Sequence, residues 1–516
     1  MMTNTLRSWF FPAFLILAGL CSPIDAQPIP LVVEGDSVPG VGLVTSISNI
    51  AVNSSGDWLV EADTDAGTDV DAVVIRNGSL YLREGDPLAF PSGVAIGGFD
   101  SITLNDAGKS AFNFILDNTP DNSGVFAGYD QPNPPVIVIQ EGEPDPGDPL
   151  TPLVGFFDVK PSGPDTMLVI GTIDDPAITT SVDRGLYLWT LEPTTGEILA
   201  SVRFAAEGDV LPGETSPVTD FGTSPHESAI NDSGMVAFAA DNDDGDTIYT
   251  FSAGAFSLLA KEGNPSPLPG RNWGALTSIA LDVNNSGQVV FRADLDGDEN
   301  TDKVIVLNGA ILRQEGDAPP GFPSFSITSF GTGPVHVDDM GRVLWYADWD
   351  DPNTDIDTGL FLDDTLLVQE GDVIPGVGTI DTLRGVEDGY HFSADGRYVI
   401  FEAVLQGNID AAFLIDLRGG AGAVFRRGDA NDDGGVDIGD AIFTLAALFV
   451  VGSPASACND AADANDDGAN DIGDAVYTLG FLFTPGAPPP PSPGPIDCGE
   501  DPTGDGLDCL STLFCP

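Results

Sequence analysis

Two twelve-residue stretches near the C-terminus concentrate the oxygen donors that could hold a metal ion. Asp429-Ala-Asn431-Asp-Asp433-Gly434-Gly435-Val-Asp437-Ile-Gly-Asp440 recurs 34 residues later as Asp463-Ala-Asn465-Asp-Asp467-Gly468-Ala469-Asn-Asp471-Ile-Gly-Asp474. Side-chain oxygens fall at loop positions 1, 3, 5, 9 and 12, and a glycine at position 6 permits a sharp turn. The backbone carbonyl of position 7, Gly435 or Ala469, completes a set suited to a hard cation. One Ca²⁺ per loop is the expected occupancy. Two copies matching in phase make an accidental acidic turn the poorer reading.

The segment after each loop must position it. Ile442, Leu445, Leu448 and Phe449 recur at helical spacing, and Val476, Leu479, Leu482 and Phe483 repeat them in register. This predicts two helices whose apolar faces pack together around a small core, with no recognisable entering helix before either loop. The loops follow the EF-hand pattern with Asp where the usual hand ends in Glu. The pair of units resembles the dockerin type I family over about 60 residues of the 516. That resemblance implies Ca²⁺-dependent folding and docking onto a cohesin-like or cell-surface protein. It would place partner specificity on Ala441, Phe443 and Thr444, and on Ala475, Tyr477 and Thr478 in the second copy. A proline-rich connector, Pro485 to Pro495, and a cysteine-bearing tail depart from the family pattern and suggest a stabilised cap or anchor. Cys458, Cys498, Cys509 and Cys515 form an even set, which predicts two disulfides in one of three pairings. Arg427-Gly428-Asp429 has the form of an integrin-binding triplet, but its Asp is already an expected ligand.

The preceding 400 residues are repetitive. A strand ending in Glu-Gly-Asp begins its motif at Glu34, Glu84, Glu141, Glu207, Glu262, Glu315 and Glu370, with Glu143 and Asn264 replacing the Asp in two copies. Between copies lies an Asn or Asp turn closed by glycine, clear at Asn53–Gly56, Asn105–Gly108, Asn231–Gly234, Asn285–Gly287 and Asp338–Gly341, weaker at Pro161–Gly163 and Ala394–Gly396. Each unit of about 50 residues reads as four short strands, as in Leu276–Val283, Val289–Ala293, Lys303–Leu307 and Ala310–Gln314. Seven such units are the pattern of a β-propeller. The first motif opens with a fourth strand, Leu31-Val32-Val33, and the last unit ends at Phe413-Leu414-Ile415 after three, so the N-terminal strand is expected to close the ring. The rival phase would use Ala423–Asp429, whose Asp is already an expected ligand.

Within the repeats Glu-Gly-Asp reads first as scaffold: glycine takes turn dihedrals freely and the carboxylates accept backbone N–H groups. Acidic loops such as Asp294–Asp302, with Asp63–Asp71, Asp241–Asp246 and Asp348–Asp357, are candidates for additional Ca²⁺, with solvated loops the plainer reading. Catalytic signatures are scarce. The only histidines, His226, His336 and His391, are far apart in sequence, and no nucleophile elbow or phosphate loop occurs.

Composition bounds the rest. With 18 Lys+Arg against 80 Asp+Glu the formal charge is −62, which excludes polyphosphate and anionic lipid as partners, so nucleic acid is not expected. Hydrophobic residues at 42% and a mean hydropathy of +0.07 supply a core. Arg7, the apolar run Trp9–Leu20 and the small-residue end at Ala26 read as a secretory signal. No later run is long enough to span a membrane. Cys21 lacks a good lipobox before it.

The expectation is a mainly β protein: a signal peptide over 1–26, a seven-bladed β-propeller over 27–418, and over 419–516 a small α-helical dockerin-like calcium-binding module with a cysteine-containing tail. It would be secreted, extracellular or at the cell surface. The propeller would serve as a non-catalytic recognition surface, polysaccharide being one candidate ligand, and the module as a Ca²⁺-dependent dock or anchor. The alternative is a glycoside hydrolase using an acid pair in the propeller channel.

Overall fold

The computed structural model describes residues 27–516 apart from 89–92, 118, 120–121, 129–135, 146, 175–183, 194–195, 223–225, 277–278, 387, 418–423, 451–455, 457, 500–501, 503–506, 508–514 and 516. The expected signal segment, Cys21, Cys509 and the 418–419 boundary lie outside the described residues.

Seven antiparallel sheets follow one another along the chain as the blades of a β-propeller. Blade 5 is typical, with strands Leu281–Val283, Val289–Asp294, Lys303–Leu307 and Ala310–Gln314 in sequential order. Its innermost strand is shorter than the expected Leu276–Val283, and the turn after it begins at Asn284 rather than Asn285, where the Asn284 N–H meets Gln288 O. The seventh sheet has the predicted composite character. The N-terminal strand Ile29–Val33 pairs antiparallel with Ile409–Asp416, placing Ile29 opposite Leu414 and Val33 opposite Ala411. Ring closure thus uses the first strand of the described chain, which covers the edge of Ile409–Asp416 and becomes the outer strand of blade 7.

Each blade buries both faces, which is why its middle strands read as nearly continuous apolar runs. Val343–Trp349 is buried at every residue except Asp348. The apolar residues form clusters between neighbouring blades. Val290 and Ile305 of blade 5, for example, pack with Phe330, Trp345, Trp349 and Phe361 of blade 6, and Val32 and Ile400 of blade 7 with Val60 and Val73 of blade 1.

Glu-Gly-Asp proves to be the staple between blades. Its glycine N–H reaches the opening segment of the next blade: Gly35 to Val44 O, Gly85 to Ile96 O, Gly263 to Trp273 O, Gly316 to Ile327 O and Gly371 to Ile380 O, all at 2.7–3.0 Å. The Asp turns back on its own strand, as Asp36 accepts from the Val33 N–H at 2.9 Å and Asp317 from that of Gln314 at 2.9 Å. The glycine has φ near +90°, a region that L side chains avoid.

Beyond the propeller, helices α1 (Ile438–Phe449), α2 (Asn459–Ala462) and α3 (Ile472–Phe483) are the helical elements among the described residues. The single turn α2, capped by Cys458, enters the second loop where no entering helix was expected. The packing of α1 against α3 also differs from expectation. Besides the loop-closing Asp440 and Asp474, the buried side chains are Ala441, Thr444, Ala475 and Thr478, whereas Ile442, Phe449, Val476 and Phe483 are 59–66% exposed. Small residues let the two helix backbones approach closely, so the bulky apolar row faces outward. A Cys498–Cys515 disulfide ties the tail, and Cys458 is also disulfide-bonded. Among the described residues no helix is long and apolar enough to cross a membrane.

Candidate binding channel and C-terminal loops

The second repeated motif builds one mouth of the propeller's axial channel. In blade 4 the Asn231 carboxamide oxygen accepts the N–H groups of Ser233 and Met235, and its Nδ2 donates to Asn284 O in blade 5 at 2.8 Å. Asn284 repeats this toward Asp338 O of blade 6 at 2.7 Å, Asn53 toward Asn105 O at 3.0 Å, and Asn105 toward Gly163 O at 2.7 Å. Where the asparagine is replaced, other groups take over: Ser162 Oγ donates to Asn231 O, and Arg342 to Gly396 O. The turn glycine is required at blade 7, since a Cβ on Gly396, at φ +72°, would lie 2.0 Å from Asp338 Oδ2.

Two residues before these turn positions, each innermost strand presents one side chain toward the axis. Around the ring these are Ala51, Thr103, Lys160, Ala229, Asp282, His336 and His391, lining a cavity of about 210 Å³ together with His226, Ser228 and Asp388. All three histidines of the chain therefore converge on one cavity. Sequence spacing hid this, because the residues sit on different blades. Alignment on the turn motif would have exposed it, since His336, His391, Lys160 and Asp282 share one register.

The hydrogen bonds define the protonation of this belt. His391 Nδ1 accepts the Val52 N–H at 3.5 Å, and His226 Nε2 accepts that of Asp388 at 3.3 Å. Burial, with Lys160, His336 and Arg292 nearby, pushes His226 well below the usual imidazole range; burial and His336 push His391 down to about 3. Both rings are thus neutral, with the proton on the other nitrogen. Asp282 is half-buried, which opposes ionisation, yet His336 at 3.3 Å and the Val337 and Val283 N–H groups hold its carboxyl below the ordinary range. Lys160 pairs with Asp158 at 2.8 Å and donates to Ser228 O at 2.6 Å.

Two glutamates are buried on inner strands of blades 1 and 7, Glu61 in Trp58–Thr64 and Glu402 in Tyr398–Leu405. Burial pushes Glu61 up to about 8 against the hydrogen bond from Asn49, with Asp63, Asp388 and Asp100 adding to the rise. Burial likewise carries Glu402 to about 9 despite Arg384 at 3.3 Å.

The C-terminal loops share one internal wiring. Asp429 accepts the N–H groups of Asp433 (3.1 Å) and Gly434 (3.0 Å), and Asp463 those of Asp467 (3.2 Å) and Gly468 (2.9 Å). Asp440 takes the N–H groups of Asn431 and Asp437, and Asp474 those of Asn465 and Asp471, closing each loop on its own last ligand position. Asn431 and Asn465 donate to Asp433 and Asp467. Asp437 and Asp471 cap α1 and α3, bonding Gly439 and Gly473. Gly435 bonds Asp433 through its N–H, and Ala469 is exposed. Burial lifts Asp440 and Asp474 to about 6. Among the described residues no three His, Cys, Asp or Glu side chains converge in metal-ligating geometry. In the propeller the candidate acidic loops satisfy themselves: Asp294 pairs with Lys303, while Asp296, Asp65 and Asp350 accept the N–H groups of Asn272, Leu43 and Ser326.

Arg427 is fully buried. It donates to the carbonyls of Asp460 and Asp463 at 3.1 and 3.0 Å and pairs with Asp466 at 3.0 Å, so its triplet is not presented for recognition.

Solved structures similar to this chain include an oligogalacturonate lyase in complex with manganese (13% identity, TM-score 0.40, 76% of this chain and 98% of that one). A prolyl endopeptidase is also similar (11%, 0.36), the alignment covering 72% of this chain and 48% of the endopeptidase. So is a protein of unknown function from Dyadobacter fermentans (11%, 0.32, 63% and 99%). Among curated proteins none matches. A family model matches residues 25–254 and again 204–436, the second match running past the propeller into the first C-terminal loop. By that match, which spans the seven blades, the chain belongs to the family of unknown function DUF7453.

Proposed function

We propose that this is an exported, non-catalytic binding protein whose propeller presents a recognition surface and whose C-terminal loops take two Ca²⁺ ions to order a docking or anchoring module. The observation that carries the reading is the closely similar wiring of two loops 34 residues apart, which differ at position 3, where Asn431 Oδ1 accepts the Asp433 N–H at 3.0 Å. In each, the first and last aspartates are drawn to the loop interior by backbone N–H groups, beside the amide at position 3. Asn465 Oδ1 is buried without a hydrogen-bond donor, as suits an oxygen reserved for a cation. Asp429, Asn431, Asp433, the Gly435 carbonyl and Asp440 would hold one ion, with Asp437 reaching it through water. Asp463, Asn465, Asp467, the Ala469 carbonyl, Asp474 and Asp471 would hold the other. A bound ion supplies the positive charge that closely spaced carboxylates lack.

The outward apolar row of α1 and α3 suits a docking face better than the six residues that the dockerin resemblance singled out, four of which, Ala441, Thr444, Ala475 and Thr478, are buried. A glycosidase needs one acid and one ionised carboxylate facing its substrate. Glu61 and Glu402 are buried within their blades and do not line the axial cavity, so neither supplies that pair.

Calorimetry of the full chain in 1–5 mM Ca²⁺ and in EDTA tests the metal half. Ca²⁺ is expected to stabilise a separate C-terminal transition by about 1–3 kcal/mol and Asp429→Ala with Asp463→Ala to abolish the shift. An unchanged C-terminal transition and helix signal in EDTA would sink it. Glycan arrays paired with hydrolysis assays test the other half; turnover lost with one channel carboxylate overturns it.

A further inference from the structure

Four carboxylates line the axial cavity: Asp106 and Asp232 at the mouth, Asp282 in the belt, and Asp388 beside His226. Asp106 accepts the Ser54 N–H and Oγ–H at 2.8 and 2.6 Å, and Asp232 accepts the Gly163 N–H at 3.0 Å and the Asn285 Nδ2–H at 3.1 Å, so neutral donors meet both. Among the described lining residues Lys160 is the only lysine or arginine, and Asp158 already meets its ammonium at 2.8 Å. His391 and His226 each accept a backbone N–H, so neither ring carries a second proton. Asp282 lies 3.3 Å from His336, whose other nitrogen faces Tyr390 O at 3.4 Å; even with that ring protonated, four carboxylates outnumber two cations in the lining. The cavity is therefore acidic, in keeping with the exterior.

A second feature points to a ligand. Ser101 lines the same cavity, is 9% exposed, and its Oγ is buried without a hydrogen-bond partner, leaving a lone pair that an ammonium N–H can meet. A bare metal ion does not match the site, because the His226 Nε2 and His391 Nδ1 lone pairs are spent and, among the described residues, no three ligating side chains converge. We infer that the cavity binds a small organic ammonium compound, an amino alcohol or amino sugar, whose charge the lining carboxylates compensate and whose hydroxyl oxygens meet the remaining imidazole N–H groups. A volume of about 210 Å³ limits the ligand to roughly the size of one monosaccharide. The inference rests on reading the propeller as a binding unit and is independent of the calcium loops. At physiological salt the −62 exterior is screened beyond about 8 Å, so it favours entry of a cation while the lining holds it.

The test is titration calorimetry of the full chain at physiological salt with glucosamine and ethanolamine, against glucose, which matches glucosamine in size and has a hydroxyl in place of the ammonium. The inference expects at least one of the two amines to bind at least about tenfold more tightly than glucose. It also expects Asp388→Asn to weaken that binding by about ten- to a hundredfold; asparagine keeps the shape of the side chain and tolerates the φ of +57° at this position, so only the charge is removed. The comparison of glucosamine with glucose needs no substitution and decides the matter even where Asp388→Asn unfolds the chain. Equal binding of glucose and glucosamine, no binding of either amine, or amine binding indifferent to Asp388→Asn would each overturn it. A glycan-array ligand whose binding is indifferent to Asp388→Asn overturns the cavity site and leaves the binding reading standing.

Discussion

The Asp395 N–H donates to Ser54 Oγ at 3.1 Å, joining the last blade to the first across 341 positions. Ser54 Oγ in turn donates to Asp106 Oδ2 at 2.6 Å, so one hydroxyl links three blades. Ser54→Ala should therefore cost about 1–2 kcal/mol in urea unfolding. Val32→Asp, on the closing strand and 4% exposed, should cost more than about 3 kcal/mol by placing a charge between blades 7 and 1. Equal effects of the two would argue against closure through the N-terminal strand.

Asn284 and its neighbour Asn285 separate the clasp from its surface. Asn284 is buried, accepts the Gln288 N–H at 2.8 Å and donates to the next blade, whereas Asn285 is exposed. Asn284→Ala is expected to lose about 2–4 kcal/mol, since two buried partners go unsatisfied, and Asn285→Ala less than about 1. Denaturant midpoints of the two variants decide the matter.

Glu61 makes stability depend on pH in a defined direction. Its folded-state value of about 8 lies above the ordinary 4.5, so the folded chain holds a proton that the unfolded chain has released. The stabilisation is complete below about 4.5, declines above it and is lost as pH passes about 8. Glu61→Gln should flatten the fall of Tm between pH 6 and 9 and exceed the parent chain at pH 9. Parallel Tm curves would show that Glu61 is not held protonated.

Arg427 holds the second loop through two carbonyls and Asp466 while leading directly into the first. Arg427→Met should cost the C-terminal segment about 2–4 kcal/mol by leaving the Asp460 and Asp463 carbonyls and the partly buried Asp466 carboxylate without the Arg427 donors. The propeller transition should not move. A single transition lowered as a whole would mean instead that the two parts unfold together.

How far the sequence could be read follows from the range of each interaction. The staples and turns were legible because each uses local residue types: Glu-Gly-Asp needs a glycine at positive φ and a carboxylate three residues from the N–H it accepts, as in Asp36 and Val33. Repetition of such units dictated seven blades, and their phase assigned the first strand to the last sheet. The twin Asp loops were legible for the same reason.

Two matters belonged to tertiary structure. Both faces of α1 are apolar enough to be buried, and only close helix approach selected Ala441 and Thr444 over Ile442 and Phe449. The channel belt is built from single positions about 50 residues apart, each unremarkable alone. Curvature of the ring brought Lys160, Asp282, His336 and His391 together. By itself the sequence determined the repeating unit, its number and its closure, because those rest on short-range hydrogen bonds and periodic burial. Which side chains share a cavity, and in which protonation state, was decided by the assembled ring, because desolvation and neighbouring charge exist only once the blades have met.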